Sequence, residues 1–237
     1  MALYTEFVKV PVSDETEMSM YLARPEGQGP WPGIILYQEI FGVNAHIRDM
    51  AERLALQGYL VVAPDMFHRS APGFESGYED LQPGFQQAAA LTPEGVIADI
   101  QAAYQWLNQL VLLKERLIGC VGFCLGGRLS FVSAAHLPVT CAVSYYGGGI
   151  LENHVDLIPE VKTPLLFHWA GKDPYIPASS HVRLVELLRE AGKNFVSTEY
   201  ADVGHGFSCD ARADYDAMAA AQAWGLTLAF LRSYLYT

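Results

Sequence analysis

From residue 33 onward, short apolar runs alternate with longer segments whose apolar positions recur every three or four residues. The runs are Gly33-Ile34-Ile35-Leu36-Tyr37, Tyr59 to Ala63, Arg116 to Val121, Val139 to Tyr145, Pro164 to Trp169 and Phe195 to Tyr200. A run without polar alternation predicts a strand covered on both faces, as in a parallel sheet. Between the runs, Ile47, Met50, Ala51, Leu54 and Ala55 form a helical stripe that Asn44 can cap, so a helix is expected through Gln57. Thr92-Pro93-Glu94 opens a second helix, to about Gln109, with Pro at its first position. Leu129 to Ala135, residues 177–191 and Asp214 to Leu235 give three more.

Residues 4–10 and 18–24 alternate polar and apolar around Ser13-Asp14-Glu15-Thr16, which predicts a β-hairpin at the start of the chain. Strands alternating with helices predict an α/β fold: a mostly parallel central sheet with helices on both faces. No repeat or linker divides the chain, so one domain over residues 1–237 is expected. Residues 66–92 read as a long irregular region with Gly73, Gly77, Pro83 and Gly84, and a loop of that length in a compact domain points to function.

Composition narrows the classes. Hydrophobic residues make up 51% and charged residues 17%, which suits a globule with a full core and excludes a disordered chain. The net charge of −11 argues against nucleic acid or an anionic membrane as partner. An anionic substrate would need a local basic patch against that field. Cys120, Cys124, Cys141 and Cys209 lack metal-ligand spacing, and Cys120 and Cys141 fall inside apolar runs as core thiols. A reduced, cytoplasmic protein is the expected setting. No leader pattern opens the chain, and no apolar run reaches membrane-spanning length. The histidines show no HExxH-like spacing, so neither a metal nor another cofactor is expected. His168, inside an apolar run, reads as a satisfied core residue.

Gly122-Phe123-Cys124-Leu125-Gly126 lies at the turn from a strand into a helix. A nucleophile between two glycines at that turn has the pattern of the nucleophile elbow, with cysteine in place of serine. The free N–H groups and dipole of the following helix favour a thiolate and a developing oxyanion. Ligands of open α/β sheets bind beyond the carboxyl ends of the strands. Glu39, Cys124, Asp173 and His205 all follow predicted strands, and so are expected on that one edge. The order Cys124, Asp173, His205 is that of nucleophile, acid and base in an α/β-hydrolase fold. Each has a blander reading alone: a core thiol, a turn cap and a solvated loop histidine.

Six segments together resemble the dienelactone hydrolase (carboxymethylenebutenolidase) family over nearly the whole chain. They are Gln38-Glu39-Ile40-Phe41-Gly42-Val43-Asn44, Ala63-Pro64-Asp65, Gly122 to Gly127, Tyr145-Tyr146-Gly147, Gly171-Lys172-Asp173 and Gly204-His205-Gly206-Phe207. The resemblance implies a Cys124/Asp173/His205 triad, a Glu39 carboxylate that hydrogen-bonds the resting thiol, and an oxyanion hole from the N–H groups of Leu125 and Ile40. A carboxylate beside a thiol disfavours the thiolate, so Glu39 would hold Cys124 in reserve until substrate arrives. The expected reaction is hydrolysis of a lactone or activated ester through an acyl-thioester.

The chain departs from the family where substrate is held. Two arginines that clamp a substrate carboxylate in the family have no counterpart: Tyr78 to Gln87 contains no basic residue, and Cys209 stands four positions after His205. Arg69 and Arg212 are the nearby basic candidates, with surface salt bridges an equal reading for both. Phe85, Tyr145 and Phe207 are candidate apolar walls, with core packing an equal reading. A thioesterase or general carboxylesterase shares the same triad. A peptidase, or a non-catalytic ligand-binding protein on this fold, remains open, and the expected state is a monomer or weak homo-oligomer.

Overall fold

The computed structural model describes residues 2–110 and 112–236. They divide into two compact units, Met1–Gly119 and Cys120–Thr237. The first opens with the expected hairpin. β1 (Leu3–Pro11) pairs antiparallel with β2 (Glu17–Pro25), Leu3 opposite Pro25 and Pro11 opposite Glu17. Glu15 takes φ 68° in the turn between them. β2 also pairs antiparallel with β4 (Leu60–Pro64), and β4 lies parallel to β3 (Trp31–Tyr37), giving the order β1-β2-β4-β3.

Ile34, Ile35 and Leu36 of β3 and Leu60, Val61 and Val62 of β4 are fully buried, as continuous apolar runs demand. Each such side chain contributes roughly 1.5–3 kcal/mol of transfer free energy. α1 (Ala45–Leu56) packs on β2 and β4 through Ile47, Met50, Ala51, Leu54 and Ala55, and its cap is Asn44, whose Oδ1 accepts from the Ile47 N–H at 3.2 Å. α3 (Pro93–Asn108) is capped by Thr92 through the Gly95 N–H.

The region expected to be irregular, residues 66–92, contains a helix, α2 (Gln82–Ala89). Its apolar residues form no clear stripe, and Pro83 and Gly84 read in sequence as breakers. Pro83 instead sits in the first turn, where its missing N–H costs nothing. A side chain on Gly84 would meet the Ile40 carbonyl at 2.6 Å, so glycine admits the helix at that point.

β5 (Leu113–Phe123) carries the chain into the second unit. There the order is β5-β6-β7-β8, with β6 (Cys141–Tyr145), β7 (Leu165–Ala170) and β8 (Phe195–Tyr200) mutually parallel. α4 (Leu125–His136) follows β5 and packs on β6. It is buried on nearly every side, so it lacks the polar face of a surface helix. α5 (Ile150–Asn153) and a 3₁₀ turn at Val155–Glu160 fill a stretch with no predicted element. α6 (Ala178–Glu190) and α7 (Ala217–Leu235) complete the unit, α7 packing on β6 and β7.

Cys120 and Cys141 are fully buried in these strands, and burial pushes the Cys141 thiol far up. His168 on β7 is a core residue, as expected. Its Nδ1 lies 3.1 Å from Thr198 Oγ1 and its Nε2 lies 2.9 Å from Thr227 Oγ1, and burial alone lowers its pKa to about 3. Among the described residues no helix is long and apolar enough to cross a membrane.

Candidate active site

The elbow is built by close approach of backbone to backbone. Cys124 stands between β5 and α4 at φ 56°, ψ −114°, a region L-residues avoid. A side chain on Gly122 would collide with the Gly126 carbonyl, and one on Gly127 would come within 2.6 Å of the Tyr145 carbonyl. Three backbone bonds fix the turn: Cys124 N–H to Tyr145 O at 3.0 Å, and Gly127 N–H and Arg128 N–H to Cys124 O at 3.0 and 3.3 Å. The strain is of the kind that persists where neighbours over-determine it. Cys124 is only partly buried, whereas the other three cysteines are buried. Leu125 is the first residue of α4, so its N–H belongs to the first-turn amides that have no intrahelical acceptor.

Asp173 and His205 come together because β7 and β8 end side by side. Gly171 N–H donates to Tyr200 O and Lys172 N–H to Val203 O, both at 2.9 Å. Two turns that are far apart in sequence are thereby joined by backbone. Asp173 Oδ2 accepts from His205 Nδ1 at 2.7 Å. Its Oδ1 accepts from the N–H groups of Tyr175 at 2.8 Å and Ile176 at 3.1 Å. The two side chains are 1% and 6% exposed.

With Nδ1 committed to Asp173, Nε2 is the ring nitrogen left for Cys124, whose charge acts on the imidazole. Burial opposes charge on this imidazole, but the Cys124 charge, the hydrogen bonds to Asp173 and Cys124 and the Asp173 charge outweigh it. The pKa is raised to about 10. The chemistry within reach is transfer of the thiol proton to an imidazole whose other nitrogen is held by a carboxylate.

The imidazole is walled by two tyrosines that the sequence reading did not select. Tyr146 lies 5.0 Å from it, ring to ring, and Tyr175 meets it edge-on at 5.2 Å. Tyr146 takes φ 38°, and its hydroxyl is hydrogen-bonded to Ser208 Oγ at 2.7 Å, which ties the end of β6 to the loop bearing His205. The signal available in sequence was the pair Tyr145-Tyr146 at a strand end. Reading favoured Tyr145, but Tyr145 is 1% exposed, bonded to Thr227 Oγ1 at 2.7 Å and packed on Phe123. Phe207 is likewise fully buried, against Tyr146 and Tyr200. For both, the core-packing alternative is the one observed.

The guanidinium of Arg212 folds over Gly206, its Nε 2.5 Å from where a Cβ would stand, next in sequence to His205. Cys209 is fully buried in the same loop.

The remaining candidates lie in the first unit. Glu39 and Ile40 follow β3, at 0% and 6% exposure, and Glu39 forms an isolated bridge with Gly42. Arg69 is engaged three times over: Nη1 and Nη2 on Asp99 at 2.7 and 2.8 Å, and Nε on Asp14 at 2.6 Å. Asp99 also takes His68 Nε2 at 3.0 Å. For Arg69 the salt-bridge alternative is the one realised. Phe85 is 42% exposed on α2.

Residues 18–235 match the model of the family described as the dienelactone hydrolase family. A carboxymethylenebutenolidase from Pseudomonas putida is 35% identical over 232 residues, 97% of each chain. A provisionally named carboxymethylenebutenolidase from Synechocystis is 34% identical over 229 residues, 93% of each. A provisionally named dienelactone hydrolase from Klebsiella pneumoniae has a crystal structure that superposes with a TM-score of 0.91 at 31% identity. That match covers 99% of this chain and 100% of that one.

Proposed function

Because the chain belongs to the dienelactone hydrolase family, and is a hydrolase of ester or lactone bonds, we propose that it opens a lactone or activated ester at Cys124 by way of an acyl-thioester. The observation that carries this reading is His205, held by Asp173 through Nδ1 at 2.7 Å and, against the effect of burial, raised in pKa by the Cys124 charge. The family match runs through both compact units, which supports one catalytic domain over the chain.

The reaction begins with transfer of the Sγ proton to His205 Nε2. The thiolate adds to the substrate carbonyl, forming a C–S bond and an oxyanion that accepts from the Leu125 N–H. By family resemblance the Ile40 N–H is the second donor. Collapse of this intermediate breaks the C–O bond, and the leaving oxygen takes the proton back from His205. Water then gives a proton to Nε2 and adds to the thioester. Collapse of this second intermediate breaks the C–S bond, Sγ takes the proton back from Nε2, and a carboxylic acid is released.

Asp173 holds the tautomer and stabilises the imidazolium between these steps. Also by family resemblance, Glu39 faces the resting thiol and disfavours the thiolate until substrate displaces or neutralises it. Lactones and enol esters suit a thiol nucleophile because their leaving groups need little protonation. Arg212, whose guanidinium lies over Gly206 beside His205, is the proposed cation for a substrate carboxylate.

The test is a panel of lactones, aryl esters and acyl-CoA thioesters, with the quenched reaction examined by mass spectrometry. The expected result is fastest turnover on lactones or enol esters and an acyl adduct on the Cys124 peptide. Equal low activity of wild type and Cys124→Ala across the panel would leave a binding protein on a hydrolase fold. Faster acyl-CoA cleavage would make the enzyme a thioesterase.

A further inference from the structure

α4 carries a single arginine, Arg128, four residues beyond Cys124 in a sequence that is otherwise apolar or small up to His136 at its end. Its backbone N–H bonds the Cys124 carbonyl, so it sits one turn along the same helix. Its side chain leaves that helix toward the turn after β6. Nη1 lies 2.9 Å from where a Cβ on Gly149 would stand, and Asn153 Nδ2 comes within 3.2 Å of the same point. Among the described residues Arg128 has no carboxylate and no hydrogen-bond acceptor for its guanidinium.

The contrast with other arginines is plain. Arg69 has Asp99 and Asp14, Arg48 has Glu75 and the Val43 carbonyl, and Arg183 has Glu186 and Glu190. Burial of Arg128 is deep enough to lower its pKa, and the negative charge that opposes this is Cys124. A half-buried guanidinium with no anion costs free energy, and such a charge is retained where an anion forms in its field.

We propose that Arg128 is the counter-charge of the Cys124 thiolate: a positioning residue that acts through the nucleophile without touching substrate. The inference rests on the reading of Cys124 as nucleophile. When Sγ gives its proton to His205 Nε2, a negative charge appears on the residue one helical turn before Arg128, whose guanidinium water screens only in part. Attraction between the two favours the ionised thiol. The other groups acting on Cys124 are the His205 imidazole, with Asp173 behind it, and the Glu39 carboxylate set beside it by the proposed function. His154, from the turn after α5, lies in the field of Arg128, and its own charge is disfavoured by burial, by Arg128 and by His136 while Asp156 supports it. None of these supplies Arg128 with a standing anion. Glu39 and Arg128 thus act on the thiol with opposite sign, and the balance between them sets how much thiolate the resting enzyme holds.

The experiment is the pH dependence of Cys124 alkylation by iodoacetamide, followed on the Cys124 peptide by mass spectrometry. Wild type, Arg128→Gln and Arg128→Lys are compared. In Arg128→Gln the alkylation midpoint is expected to move to higher pH, with a rate about three- to tenfold lower on the acid side, because one pH unit of midpoint is tenfold in thiolate. Arg128→Lys keeps the charge and is expected to keep the wild-type midpoint. An unmoved midpoint in Arg128→Gln, or an equal shift in Gln and Lys, overturns the proposal. If Arg128→Gln does not fold, Arg128→Met keeps the aliphatic stem against Gly149 and is read the same way. The readout needs no turnover. Full activity of Cys124→Ala would sink the nucleophile itself, whereas an essential Cys124 with an unmoved profile sinks only the role of Arg128.

Discussion

Asp173 gives one carboxylate oxygen to His205 at 2.7 Å and the other to two backbone N–H groups of its own turn. The acid is therefore held by the chain before it holds the base. An aspartate fixed on both oxygens can orient an imidazole without losing side-chain freedom at each turnover.

Replacing Asp173 by Asn keeps the shape and reverses one hydrogen bond. An amide nitrogen placed toward Nδ1 forces the tautomer that carries its proton on Nε2, which can no longer accept from Cys124. The expected loss in kcat is about a thousandfold or more, with KM little changed. Steady-state kinetics on the best substrate of the panel checks this, and a loss below tenfold would remove Asp173 from the triad.

Raising of the His205 pKa to about 10 depends on a negative charge at Cys124, against the opposing effect of burial. Cys124→Ala removes that charge, so the His205 titration is expected to fall toward or below the ordinary histidine range of about 6.5. NMR of the imidazole ring protons measures it directly. The stability linkage follows the same sign. A pKa raised in the folded state gives stabilisation that is full below the unfolded value of about 6.5 and is lost as pH climbs through about 10. Denaturant midpoints of wild type and Cys124→Ala should therefore converge as pH rises across that window.

Tyr146→Phe removes the bond to Ser208 and leaves the ring against His205. A loss of about 0.5–1.5 kcal/mol in stability is expected, as for one hydrogen bond. Turnover should fall more than KM rises, because the loop bearing the base is released. Ser208→Ala should reproduce the effect, and the double variant should add little to either. Strict additivity in that cycle would show that the two hydroxyls act independently.

Asp99→Ala strands the buried His68 and leaves Arg69 with Asp14 alone. Loss of a buried partner costs roughly 3–5 kcal/mol, and partial solvation of Arg69 places the expectation at the lower end. Thermal melts check the loss. Arg69→Ala should lower the melting temperature without raising KM for a carboxylate-bearing substrate. A selective rise in KM would restore Arg69 as a substrate clamp.

Much of the architecture could be read from residue spacing. Continuous apolar runs marked strands covered on both faces, Asn44 marked a helix start with the capping bond that was expected, and Thr92-Pro93-Glu94 marked another, where Thr92 also caps. The final helix was read from Asp214, but it begins at Ala217, because Asp216 caps it through the Ala219 N–H. Helix α2 was hidden because its burial depends on Gly84 meeting the Ile40 backbone, a contact with no trace in hydrophobic period.

Strand ends located Cys124, Asp173 and His205, since residues that close a parallel strand share an edge whatever their separation. The same rule could not find Arg128, which lies inside a helix. Its only sequence signal was one charge in a buried apolar segment. Nor could spacing decide which of Tyr145 and Tyr146 meets His205. Both rings are fully buried, and only the packing places Tyr146 against His205 and Tyr145 against His168.

The backbone bonds from Gly171 to Tyr200 and from Lys172 to Val203 work as a ruler between two loops. The spacing of acid and base is set before Val203, by strand pairing, and not by the residues that follow His205. Beyond the Ser208 anchor, the stretch up to the cap of α7 returns onto the turn of the base: Arg212 lies over Gly206, Asp214 Oδ1 stands 2.6 Å from where a Cβ on Gly204 would be, and the Asp216 N–H donates to Phe207 O at 3.0 Å. An exchange of residues between Gly171 and Asp173 would dismantle the pair at the strand ends, and one beyond Ser208 would strip the cover from the turn that carries the base.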